Sequence, residues 1–182
     1  MEMSQFSTKL RRLLRMTLSL AIAVGLAWSI SIPVYAQGTV VGAFGDWVLE
    51  CDVPPGAQYE QCALKQTVQA EDRDNIGLVV FVLKTADQMA QLIRVVAPLG
   101  VLLPPPFQLG LAIDGEHIGE IGFVRCVQEG CIAEALLEPE LLSRLRGGTT
   151  AIFSIFVSPE LDGGIGIPVS LNGFSDGFEA LP

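Results

Sequence analysis

The stretch 62–83 reads CALKQTVQAEDRDNIGLVVFVL, and its two halves decide the fold. Cys62 to Val68 alternates, with Ala63 and Lys65 on one face and Leu64 and Gln66 on the other, which is the period of a half-buried strand. Glu71-Asp72-Arg73-Asp74-Asn75 is a charged turn. Ile76 to Leu83 is rich in Val, Leu and Phe and short enough to be a buried strand. The chain continues in the same manner in both directions.

Upstream, Asp46 to Cys51 reads as a strand broken by Pro54-Pro55-Gly56, and Gln37 to Gly45 as a short flexible lead-in. Downstream, Leu92 to Ala97 reads as a strand stopped at Pro98. A helix over Ala86 to Arg94, capped by Thr85, is the alternative, and the β-branched pair Val95-Val96 favours the strand. Gln108 to Asp114 alternates and ends at the tight-turn signal Asp114-Gly115, so Ile118 to Cys126 pairs back across it. Cys131 to Leu136 follows the turn Gln128-Glu129-Gly130. Thr149 to Val157 and Ile165 to Leu171 are the last strands. Gly163, Gly164 and Gly166 form a turn or bulge and lack the Lys-Ser/Thr that would follow in a phosphate loop.

One segment reads clearly as helix. Pro139 suits the first helical position, and Leu137, Leu141, Leu142 and Leu145 share a stripe. Arg144 and Arg146 complement the C-terminal end of the helix dipole, and Gly147 ends it. Ser175 to Leu181 reads as one capped helical turn. The prediction is an all-β domain, an antiparallel β-sandwich or partly open barrel of seven to nine strands. One short helix covers an open end or edge.

The chain has 182 residues, half of them hydrophobic and 17% charged, which excludes a disordered or low-complexity protein. Residues 1–36 read as an export segment: Lys9, Arg11, Arg12 and Arg15 precede an uncharged run from Met16 to Val34, and Val34-Tyr35-Ala36 resembles a cleavage site before Gln37. The run is also long enough to remain as a membrane anchor. Either way the domain 37–182 is expected outside the cytosol, periplasmic or secreted if cleaved, held to the inner membrane through residues 16–34 if not. It keeps seven of the eleven basic and nineteen of the twenty acidic residues, a net charge of −12, which argues against nucleic-acid partners.

All four cysteines, Cys51, Cys62, Cys126 and Cys131, fall in this domain, and an even count in an exported chain reads as a disulfide framework. Of the three possible connectivities, Cys51–Cys62 and Cys126–Cys131 are favoured because each pair lies within one apparent hairpin. The intervals fit neither a zinc site nor a thioredoxin-like redox pair.

Several separated runs resemble the invasion associated locus B family. They are Phe44-Gly45-Asp46-Trp47 with Cys51 and Cys62-Ala63-Leu64-Lys65-Gln66, and Arg94 to Pro104 followed by Ile113-Asp114-Gly115. Cys126 with Gly130-Cys131-Ile132-Ala133 follows, and then Pro168-Val169-Ser170-Leu171-Asn172-Gly173-Phe174. The resemblance implies an exported, small, mostly β domain of bacterial envelopes, and it brings no catalytic residues with it. At Pro104-Pro105-Pro106-Phe107 the chain departs from the family, where a turn containing Gly is expected.

Candidate sites are few. His117, the single histidine, sits with Asp114, Glu116 and Glu120 in what reads as a polar hairpin tip rather than a ligand set. No nucleophile elbow supports a triad of His117 with Ser154 or Ser170. Trp47 reads as core. Val101, Leu102, Leu103, Pro104, Pro105, Pro106 and Phe107 form an uncharged run that is a docking surface if exposed and an ordinary crossover between sheets if buried. The expectation is a non-enzymatic domain without metal or cofactor, whose partner is a protein of the cell envelope.

Overall fold

A computed structural model describes residues 38–53, 56–71, 73–85, 87–160 and 164–182. The export segment and its cleavage site lie outside the described residues. Eleven strands form two antiparallel sheets. The first is built from β1 (Thr39–Phe44), β2 (Trp47–Asp52), β3 (Gln61–Ala70), β4 (Arg73–Lys84), β5 (Gln91–Ala97), β8 (Phe123–Val127) and β9 (Gly130–Leu136), in the spatial order β1-β2-β3-β4-β5-β9-β8. The second holds β6 (Leu109–Ile113), β7 (Glu116–Ile121), β10 (Thr150–Ile155) and β11 (Ile165–Ser170), in the order β11-β10-β6-β7. Two short helices, α1 (Pro139–Gly147) and α2 (Phe174–Glu179), complete the described residues.

Register places the apolar residues in rows. Leu49, Leu64, Val82, Ile93 and Ala135 lie opposite one another across five strands. Gln66, Val80, Val95 and Ala133 form the next row on the same face. The second sheet answers with Phe153 between Leu111 and Ile167, and Ala151 between Ile113 and Val169. Apart from Ala135, which is partly buried, these side chains are buried. Each removes apolar area from water at roughly 25 cal/mol per Å², so the shared core is the main stabilising term. α2 closes the space beside β1 and β2: Phe174 meets Trp47 edge-on at 5.4 Å, and Phe178 stacks on Phe174 at 6.0 Å.

Gln66 is the one polar side chain among the buried residues of the described chain. Its amide nitrogen donates to the Ser170 carbonyl at 3.0 Å, and its amide oxygen accepts from the Ser170 N–H at 3.0 Å. β11 is an edge strand, so these backbone groups have no ladder partner on that side, and the side chain supplies the missing rung. Trp47 Nε1 donates to the same carbonyl at 2.9 Å.

Three expectations are corrected. The lead-in 37–45 is largely strand: Thr39–Phe44 pairs with β2 around a two-residue turn at Gly45-Asp46, because Val40, Val41 and Phe44 suit a pleat. The single strand Ile118–Cys126 is two strands in different sheets. Gly122 separates them, so that Ile121 enters the core from one sheet and Phe123 packs on it from the other. With these two changes the described residues hold eleven strands rather than the expected seven to nine. The terminal turn is a second helix, beginning at Phe174. The strand at Leu92–Ala97, rather than the alternative helix, is what forms.

Gln66→Leu keeps the volume but leaves the Ser170 N–H without a partner, while Trp47 still serves the carbonyl. A loss of about 1–3 kcal/mol is expected in urea unfolding. A loss below about 0.5 kcal/mol would remove the clamp from the account of how the sheets are joined.

Candidate functional site

The hairpin tip around His117 is built by Asp114 and Gly115, which both have positive φ, 49° and 84°. The exposed Asp114 carboxylate folds back onto the start of β10, accepting from the N–H of Thr149 at 3.1 Å and of Thr150 at 2.9 Å. Glu116 pairs with Arg144 of α1 at 2.8 Å. The hydrogen bond to Glu116, and then its charge and that of Glu140, hold the Arg144 guanidinium above its ordinary value. His117 is exposed at the rim of a cleft of about 270 Å³ with Glu138 and Glu140. Asp114 and Glu116 therefore fasten the β6–β7 hairpin to the loop after α1 and to α1 itself. This does not assemble a nucleophile with a base.

The cysteines sit opposite one another in neighbouring strands, Cys51 facing Cys62 and Cys126 facing Cys131, and both pairs are disulfide-bonded. Glu60 lies beside the first pair, with its carboxylate within 4.8 Å of the sulfurs. In the disulfide state those sulfurs are not thiolates and offer a metal nothing to bind.

The run 101–107 divides. Val101 is buried, the Leu102 N–H donates to the Phe156 carbonyl, and Phe107 meets Phe156 edge-on at 5.7 Å. Leu103, Pro104, Pro105 and Pro106 are exposed, with a Phe107 N–H to Pro104 carbonyl bond closing the turn at 2.9 Å. The loop is pinned at both ends and presents an apolar tip.

The two ends of the domain interlock. Asp46, in the β1–β2 turn, accepts from Ser170 Oγ at 2.6 Å and from Asn172 Nδ2 at 3.4 Å, and its own N–H donates to the Asn172 carbonyl. Gly173 has φ 84°, and a Cβ built there would stand 2.1 Å from the Phe44 carbonyl oxygen. A glycine is required on both counts.

The family model described as Invasion associated locus B (IalB) protein matches residues 47–182. The chain belongs to this family. Among solved structures it is similar to the crystal structure of invasion associated protein b from Bartonella henselae, with a TM-score of 0.57 at 20% identity, over 78% of this chain and 94% of that one. That likeness is one of fold. No curated protein matches the chain.

In this IalB-family chain, Phe44 to Trp47 and Pro168 to Phe174 thus read as one structural lock made from the two ends of the domain. Gln66 joins it through Ser170, and Ile113-Asp114-Gly115 forms a second internal fastening. One arrangement escaped the sequence reading. Glu50, Lys65, Phe81, Leu83 and Arg94 line a trough of about 380 Å³ on the face of the seven-stranded sheet turned away from the core. Lys65 is paired with Glu50 at 2.9 Å, and Arg94 with Glu134. Its signal was the continuous apolar run of β4, which places apolar side chains on both faces.

Gly173→Ala is expected to abolish soluble expression or lower stability by more than about 3 kcal/mol, since the new Cβ meets backbone rather than a flexible side chain. His117→Ala should leave the melting temperature unchanged within about 1 °C. Thermal unfolding of both variants checks the assignment of structural and free residues at the two ends.

Proposed function

We propose that this IalB-family chain is an exported bacterial envelope protein whose domain is a non-enzymatic binding or accessory module for another envelope protein. The observation that carries the reading is the exposed tip Leu103–Pro106, held by Val101 below it and Phe107 beside Phe156. A loop pinned at both ends loses little freedom on docking, which favours recognition. Export is supported by the basic n-region and apolar run of residues 1–36 and by the two disulfides, which persist in oxidising compartments. The non-enzymatic reading is supported by the occupation of Asp114 and Glu116 by structural partners. A contribution to host-cell invasion or to envelope stress tolerance belongs to the same proposal.

The uncharged run Met16–Val34 favours a second reading, an accessory subunit of an inner-membrane complex held by an uncleaved helix.

Two measurements separate these. A photo-crosslinking residue in place of Leu103, in natively expressed protein, is expected to capture one envelope protein. Leu103→Asp should weaken that capture about tenfold, the effect of losing roughly 1.4 kcal/mol of contact. Crosslinks spread over unrelated proteins would sink the docking role. Mass spectrometry of the same preparation is expected to show an N-terminus at Gln37. A full-length form in stoichiometric amount with a membrane complex would give the second reading instead.

A further inference from the structure

We propose that the outer face of the seven-stranded sheet is an interface for a second copy of this chain. The residues directly opposite one another on that face are Glu50, Ala63, Leu83, Leu92 and Leu136, then Val48, Lys65, Phe81, Arg94 and Glu134, then Thr67, Val79, Val96, Ile132 and Arg125. Most are apolar, yet Val48, Val79, Phe81, Leu83, Leu92 and Val96 stand outside the hydrophobic core. An antiparallel sheet with one solvated face normally alternates apolar with polar. The four-stranded sheet comes nearer to this: its outward positions are small or polar at Gly110, Ala112, Ser154 and Gly166, with Ile152 and its cross-strand neighbour Pro168 the apolar exceptions. The seven-stranded sheet has two apolar faces and one core. α2 packs on the inner side, its Phe174 against Trp47 and its Gly177 backbone beside Leu64, and does not cover the outer one.

Charge selects the occupant. The outer face carries Lys65, Arg94 and Arg125 against Glu50, Asp52 and Glu134, a net charge of zero. The rest of residues 37–182 holds four basic and sixteen acidic side chains, so the whole −12 lies elsewhere. A basic partner is drawn to that acidic remainder. A second copy is repelled by it, and this sheet face is the broad surface at which it meets no net charge. Lys65 and Arg94 already have carboxylate partners within the chain, so covering the face strands neither of them.

The footprint is sufficient. The rows span six strands about 4.8 Å apart, each contributing about five residues at roughly 3.3 Å, which projects to about 480 Å², and side-chain relief raises the accessible area towards the roughly 800 Å² per partner of a standard interface. Val40 and Leu136, 60% and 53% exposed, extend the apolar surface at its margins.

The test is the mass in solution of the protein as its expressing cells process it, by sedimentation across about 1–100 µM, the range in which such an interface would associate. A dimer is expected, tightening with added salt as the repulsion between the acidic remainders is screened. Phe81→Glu and Val96→Glu should each weaken it at least tenfold. Near-UV circular dichroism and intact disulfides by mass confirm that each variant is folded, and either variant suffices if the other fails to fold. Ile152→Lys, on the outward face of the four-stranded sheet, should leave the dimer unchanged. A monomer throughout the range overturns the proposal, as does a dimer indifferent to both sheet-face variants or one broken by Ile152→Lys. A different protein crosslinked to the sheet face in stoichiometric amount also overturns it.

Discussion

The amide of Gln66 bonded to both backbone groups of Ser170 is the constraint on which this sandwich depends. Sheets stacked face to face are held by apolar contact, which fixes distance but tolerates sliding. A two-point hydrogen bond does not slide. It sets β3 against one residue of β11, and the Trp47 indole meets the same carbonyl from β2. The two longest-range elements of the domain, its first turn and its last strand, are thereby placed within reach of each other. The Asp46, Ser170 and Asn172 network and the close approach of Gly173 to Phe44 follow from that placement.

This explains why recognisable sequence runs need not mark an active centre. Phe44 to Trp47 and Pro168 to Phe174 are far apart in the chain and single in space. Their polar atoms are spent on each other. The proline-rich tip and the outward face of the larger sheet take no part in this lock, and their composition is less constrained by the fold.

Much of the architecture was legible. The alternation at Cys62–Val68, the Asp114-Gly115 turn and the Pro139-led helix each carry local signals that the structure keeps. What was not legible depends on partners distant in sequence. Thr39–Phe44 has no charged boundary and becomes a strand because β2 folds back on it. Ile118–Cys126 looks continuous, and only the presence of two sheets makes Gly122 a crossing point. The trough escaped because assigning β4 as a buried strand accounts for its apolar run without asking what lies on each side. Of the seven residues 101–107, three turn out to be anchors, and periodicity cannot separate an anchor from a tip in so short a run.

The disulfides have a consequence for assembly. Each joins cysteines that are neighbours in the order of the chain, eleven and five residues apart. The native partner of every cysteine is thus its nearest thiol along the chain, the one whose loop closes at the least entropic cost. Every mispaired alternative must close a far longer loop, so local pairing within each hairpin is favoured over exchange between the two.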